Sequence, residues 1–224
     1  MAIKVAEISV MHLGLMDYQE CWQLQREIHD SVVTGKRPNT LILVEHPSVF
    51  TAGRRTQISE RPQDGTPVID VDRGGQITWH GPGQIVGYPI VQLEKRNEVV
   101  GFVRHLEEAM IETIKEFGVT GISIPGKTGV WIKDSSERKI AAIGVRVAKG
   151  VTMHGFALNI DPDLSNFNRI IACGMPEAET TSLAKELHRP ISIFEITPIL
   201  EKHMVAALAK VSKSPVSSEV NLPS

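Results

Sequence analysis

The chain is short of cysteine, of long apolar runs and of positive charge, and each shortage excludes a class of protein. Cys21 and Cys173 are its only thiols. Two cysteines so far apart make neither a disulfide framework nor a CxxC zinc knuckle, so reduced thiols are expected. No stretch reaches the roughly 18 apolar residues of a membrane span. The opening MAIKVAEISVMHLGLMDYQE has no cationic start followed by an unbroken apolar run, which argues against a secretory leader and for the cytoplasm. A formal net charge of −2 leaves no basic footprint for nucleic-acid phosphates, so any macromolecular partner has to be recognised locally. Internal repeats and low-complexity linkers are missing as well.

What is present suits one globular domain. Hydrophobic residues make up 42% of the 224 and charged residues 22%, enough apolar surface for a sizeable core. Residues 1–211 are read as that domain. Residues 212–224, SKSPVSSEVNLPS, have almost nothing to bury and are read as a mobile tail.

After Asp17, a favourable N-cap, Tyr18, Cys21, Trp22, Ile28 and Val32 recur at helical spacing, which predicts an amphipathic helix ending near Gly35. Thr40 to Val44 (TLILV) is continuous, apolar and bounded by Pro38 and Pro47, as expected of a strand covered on both faces. His46 to Pro67 reads as a loop and Val68 to Val71 as a short strand. Val99 to Phe117 is a second amphipathic helix, with Phe102, Val103, Leu106, Met110 and Ile114 on one face and Gly118 to stop it. Gly129 to Lys133, Lys139 to Val147 and Thr152 to Ile160 read as strands separated by turns. Thr197 before Pro198 signals the start of a last helix, with Leu200, Met204, Ala207, Leu208 and Val211 on its apolar face. The fold class is a single α/β (α+β) domain with a mixed sheet flanked by helices.

Four features bear on chemistry, and each has a plain structural reading beside the functional one. The glycines between Arg73 and Pro89 either make tight turns or let a ligand approach the backbone closely. Lys139 is either a solvated charge at a strand edge or the cation of a slot, because Ala141, Ala142 and Gly144 leave room beside it; Ile143 and Leu158 complete the lining of that slot. Burying an alkyl chain there is worth about 0.8 kcal/mol per methylene. Cys173, just before Gly174, is either a buried small hydrophobe or an exposed thiol activated by a neighbouring ammonium; Cys21, in its helical stripe, fits burial better. His80 and His154 each precede a glycine, a place where a strand can open into a loop, and each is either a structural histidine or a pocket residue.

Taken together, EHPSVFTAGRR at 45–55, RGGQITWHGPGQIVGYP at 73–89, GKTGVWI at 126–132, KIAAIGVRV at 139–147, HGFALNI at 154–160 and ACGM at 172–175 resemble the lipoyl(octanoyl) transferase family in order and spacing. The resemblance runs from about residue 5 to 210. It implies the fold of the lipoate and biotin protein ligase catalytic domains and transfer of octanoate from octanoyl-acyl-carrier protein to a lysine of a lipoyl domain. The acceptors would be lipoyl domains of 2-oxoacid dehydrogenases and the glycine cleavage H protein, with no metal, no cofactor, no nucleic acid, no membrane and a monomeric enzyme.

By match to the motifs, Cys173 would carry the acyl thioester and Lys139 would lower its pKa. Arg73, Gly74, Gly75, Gln76, Ile77, Thr78, Trp79 and His80, with Ala142, Ile143, Gly144, His154, Gly155, Phe156 and Ala157, would line the acyl pocket. Ala172 stands where the family commonly has proline. Arg54, Arg55, Arg61 and Arg96 are either a docking patch for acidic protein substrates or ordinary solvated charge. An ATP-dependent ligase of the same fold, a non-catalytic acyl-binding protein and a cysteine hydrolase are the rival readings.

Overall fold

A computed structural model of the chain describes residues 7–95, 98–171 and 179–213. The elements run β1 (Ile8–Leu15), α1 (Tyr18–Val33), β2 (Asn39–Glu45), β3 (Val49–Ala52), β4 (Val68–Asp70), β5 (Thr78–His80), β6 (Gln84–Ile90) and α2 (Val99–Lys115). They continue with β7 (Ile122–Ile124), β8 (Lys127–Lys133), β9 (Glu137–Ala148), β10 (Val151–Asn159), β11 (Glu179–Thr180), α3 (Leu183–Leu187) and α4 (Ile193–Val211). The main sheet is mixed, in the order β1-β2-β6-β10-β9-β8-β7, and β11 joins β9. A second sheet, β4-β3-β5, stands apart from it.

The expected single α+β domain with a mixed sheet is therefore what forms, and the reason lies in strands apolar on both faces. In β2, Leu41 and Leu43 enter one core with α2 and α4, while Ile42 and Val44 enter another beneath α1. Alternation of side chains along a strand sends each set to its own helix layer. Asp17 caps α1 as the sequence predicts, its carboxylate accepting from the backbone N–H of Gln19 at 2.8 Å. No helix among the described residues is long and apolar enough to cross a membrane.

Four expectations need correction. The stretch 46–67 is not all loop, because β3 lies within it and pairs with both β4 and β5. Its four residues are too few to show a period. β1 was not foreseen; it runs parallel to β2, with its edge residues only partly buried. The last helix starts at Ile193 rather than at Thr197: Ser192 and Glu195 form a reciprocal capping box, and Thr197 donates from within the helix to the Ile193 carbonyl at 2.7 Å. That two-way box outweighs the local Thr-Pro signal and leaves Pro198 inside the helix. Finally, His154 does not open into a loop but sits in mid-strand, paired with Val145.

Of the range read as a tail, Ser212 and Lys213 are described, and both are tied back. Ser212 bridges to Leu93, and the Lys213 amide donates to the Gln92 carbonyl at 2.8 Å. Residues 214–224 lie outside the described residues.

Candidate functional site

A cavity of about 250 Å³ opens on the α1 side of the main sheet. Its base is made of two cross-strand pairs of the smallest side chains, Ala142 with Ala157 and Gly144 with Gly155. Nothing larger fits there. A Cβ on Gly155 would meet the Gly87 carbonyl oxygen at 2.0 Å, and one on Gly144 would meet the Gly74 oxygen at 2.9 Å. Here the missing Cβ atoms admit the protein's own backbone, with the Gly74 amide donating to the Val145 carbonyl at 3.0 Å.

The segment 73–80 divides between the cavity and the interior behind it. Arg73, Gly75, Gln76, Thr78 and His80 line the cavity, whereas Gly74, Ile77 and Trp79 do not. Ile77 and Trp79 are fully buried, and the Trp79 ring nitrogen donates to the Ser48 hydroxyl at 2.9 Å. Ala142, Ile143, Gly144, His154, Gly155, Phe156 and Ala157 all line it. Ala141 and Leu158, foreseen as slot residues, instead join the α2/α4 core. Tyr18, Val86, Tyr88, Arg55 and Lys127 line the cavity unforeseen. Tyr18, Arg55 and Lys127 reach it from separate segments, and the alternation of Val86 and Tyr88 along β6 is hidden because that strand is buried throughout.

Lys139 reaches the cavity through a defect in β9. Val130 of β8 pairs with Ala141, but the next residue, Trp131, pairs with Lys139, so β9 carries an extra residue at Ile140. Ile140 and Ala141 consequently both point into the α2/α4 core. Strict alternation would place Lys139 on the face of Ala141; the bulge restores it to the face of Ala142. Its ammonium lies 5.1 Å from the Trp131 ring centroid, a cation–π contact. Gly129 makes room beneath it, at φ 119°, and a Cβ there would meet the Ala141 oxygen at 2.3 Å and the Lys139 Cε at 2.7 Å.

Behind the cavity runs a buried polar network. Asn159 donates to the Thr181 carbonyl at 2.9 Å and accepts from Gln84 at 2.8 Å, and Gln84 accepts from His80 Nδ1 at 2.7 Å. Arg73 donates to the Thr51 carbonyl at 2.8 Å and to its hydroxyl at 3.0 Å. His46 bonds the Met16 carbonyl at 2.7 Å through Nδ1 and the Tyr88 hydroxyl at 2.8 Å through Nε2. Polar residues inside otherwise apolar strands, such as Gln84 in QIVGYPI and Asn159 in FALNI, were the available signal for this network.

Burial pushes His46, His80 and His154 below the usual imidazole value, His80 to about 3. The unfolded chain binds these protons near pH 6.5 and the folded chain does not. Stability is therefore whole above about 6.5 and is lost as pH falls toward the folded values, at up to about 1.4 kcal/mol per pH unit for each ring. Denaturant midpoints measured from pH 7 to 5, above the carboxylate range, should fall, and His80→Gln should flatten the slope. A midpoint constant over that range would show that the rings take up protons in the folded chain as they do in the unfolded one.

Cys21 is fully buried, and burial pushes its thiol up to about 12, which makes it an inert hydrophobe. Cys173 and its neighbour Ala172 lie outside the described residues, as does Arg96. The chain resumes at β11, where Thr180 pairs in register with Lys139 and the Thr181 amide donates to the Lys139 carbonyl at 2.9 Å. Arg61 pairs with Asp70, and Arg55 stands exposed at the cavity rim. Among the described residues no group of three His, Cys, Asp or Glu side chains is arranged to hold a metal.

Comparison with known proteins gives this geometry its family. The model of the lipoyl protein ligase A/B catalytic domain matches residues 17–205. The octanoyltransferase of Salinispora arenicola is 50% identical over 207 residues, which cover 91% of this chain and 97% of that one. The octanoyltransferase of Mycobacterium tuberculosis H37Rv is 50% identical over 205 residues, covering 92% and 89%. Among solved structures, one of a bipartite lipoate protein ligase and its E2 lipoyl domain from Thermoplasma acidophilum matches with TM-score 0.68 at 15% identity, over 96% of this chain and 88% of that one. Biotin protein ligase from Aquifex aeolicus matches with TM-score 0.52 at 13% identity, over 90% and 71%. Those structural likenesses speak for the fold; the sequence matches, at half identity over nine-tenths of the chain, show that it belongs to the octanoyltransferase family of lipoyl protein ligase A/B catalytic domains, acyltransferases of protein lipoylation.

Proposed function

We propose that the chain moves an octanoyl group from octanoyl-acyl-carrier protein to a specific lysine of a lipoyl domain, through a thioester on Cys173. The acceptors are the lipoyl domains of 2-oxoacid dehydrogenases and the glycine cleavage H protein, and the enzyme works as a cytoplasmic monomer without a cofactor. The observation that carries this reading is the β9 bulge, which turns Lys139 into a cavity based on alanine and glycine. Thr180, seven residues after Cys173, pairs with that same lysine, so the chain bearing the thiol returns to it.

The chemistry then follows from the groups present. Lys139 takes the thiol proton and pairs with the thiolate, which attacks the carrier thioester. One thioester replaces another, so loading is nearly neutral in energy and needs no nucleotide. The departing carrier thiolate takes a proton from Lys139 and leaves a neutral amine. Burying the six methylenes of the octanoyl chain stabilises the adduct by roughly 5 kcal/mol at about 0.8 kcal/mol each. Attack by the acceptor amine forms the amide downhill, and neutral Lys139 takes the proton shed by the attacking nitrogen.

Incubation with octanoyl carrier protein and a lipoyl domain, without ATP or Mg²⁺, should yield the octanoylated domain. A strict need for ATP and Mg²⁺ would replace this reading with a ligase. Binding of the carrier without turnover, or hydrolysis in place of transfer, would exclude it equally.

A further inference from the structure

Glu107 is a carboxylate in the buried face of α2, together with Leu106 and Met110, and only 1% of it is exposed. Burying a carboxylate is costly unless its oxygens are bonded. One oxygen, Oε2, is paired with Arg104, whose side chain reaches the surface. The other, Oε1, accepts the backbone N–H of Gly129 at 2.9 Å. None of the reaction steps above employs this group.

The amide that Glu107 holds lies at an irregular point of β8. On one side β7 pairs through Ile122 with Trp131 and through Ile124 with Lys127, so Ser123 stands opposite Thr128, Gly129 and Val130 together. On the other side β9 carries its extra residue at Ile140. Both ladders are disrupted there, and the bond from α2 supplies the Gly129 N–H with an acceptor in their place. Gly129 is also in contact with the lysine of the site, since a Cβ on it would lie 2.7 Å from Lys139 Cε. Two residues further along β8, Trp131 pairs with Lys139 and places its ring 5.1 Å from the ammonium. A shift of β8 at Gly129 would therefore move both surfaces on which the lysine side chain rests.

We propose that Glu107 is a positioning residue for Lys139: its Oε1 fixes the β8 backbone beneath the lysine and so holds the amine where acyl transfer needs it. The proposal rests on the acyl-transfer reading above, with Lys139 as base. Glu107 itself touches neither the substrate nor a reacting atom. A base acts only within hydrogen-bond reach of the proton it takes, and a misplacement of about 1 Å can cost about 10²-fold in rate.

Two conservative changes separate reach from charge. Glu107→Gln keeps an oxygen at the same reach and loses the charge, while Arg104 can turn to solvent. Glu107→Asp keeps the charge and draws the oxygens back by one methylene, about 1.5 Å. Single-turnover transfer from the preformed adduct to a lipoyl domain is followed on the full chain by intact-protein mass spectrometry. Glu107→Asp should transfer about 10–100-fold more slowly than unaltered protein, and Glu107→Gln should keep the rate within about threefold. A merely structural role would cost the same factor in any background. In Lys139→Arg protein, which has no base to misplace, Glu107→Asp should instead slow transfer by less than about twofold. Glu107→Asp at the unaltered rate, Glu107→Gln as slow as Glu107→Asp, or equal losses in the two backgrounds would overturn the role of Glu107. Full transfer by Lys139→Arg alone would overturn the base reading itself, and the proposal with it.

Discussion

Lys139→Arg protein should still accumulate the octanoyl adduct yet pass it on about 10²–10⁴-fold more slowly, the usual contribution of a positioned base. Arginine keeps the positive charge that stabilises a thiolate, but its guanidinium does not lose a proton in water. In the variant solvent takes the thiol proton and protonates the departing carrier thiolate, so the first half-reaction still runs on the charge alone. The second needs a neutral nitrogen, which lysine becomes by giving its proton to the departing carrier thiolate. In Cys173→Ser the adduct itself should vanish, since Cys21 is fully buried with its thiol pushed up to about 12 and offers no substitute. Full transfer by Lys139→Arg would end the base role, and an adduct surviving in Cys173→Ser would move the nucleophile elsewhere.

Gly129→Ala should be a damaging glycine change beside the site. At φ 119° an alanine is strained, and its Cβ would press on the Ala141 oxygen and the Lys139 Cε at once. Strain and overpacking together cost roughly 2–4 kcal/mol. Relief can come only by shifting β8 from β9 at the bulge, which withdraws the lysine from the cavity. Gly126→Ala is the control, because Gly126 has φ 80° but nothing within 4 Å of its Cβ position. Denaturant midpoints and transfer rates should therefore drop much further for Gly129→Ala than for Gly126→Ala; equal losses would mean that backbone strain alone matters and that the close approach to Lys139 does not.

The elements legible in advance are those with long local patterns. α1 and α2 show apolar stripes over four turns, and β2, β8, β9 and β10 show apolar runs too continuous for a surface segment. Cys21 was rightly placed as a core residue because it lies in such a stripe. β3 and β5, at four and three residues, carry no period to read, and their pairing joins chain segments far apart in sequence. The start of α4 was misplaced because a Thr-Pro step is a weak signal beside a reciprocal Ser192–Glu195 box one turn earlier.

By itself the sequence determined the fold class, the family resemblance and the residue types the chemistry uses, since these are written in composition, local periodicity and motif order. Which of those side chains face the same cavity was decided only by tertiary structure. An extra residue in β9 sets Lys139 on the face of Ala142, and a left-handed backbone at His154 carries its ring across the sheet. Both depend on the register between strands, and register comes from hydrogen bonds between segments that no local pattern joins.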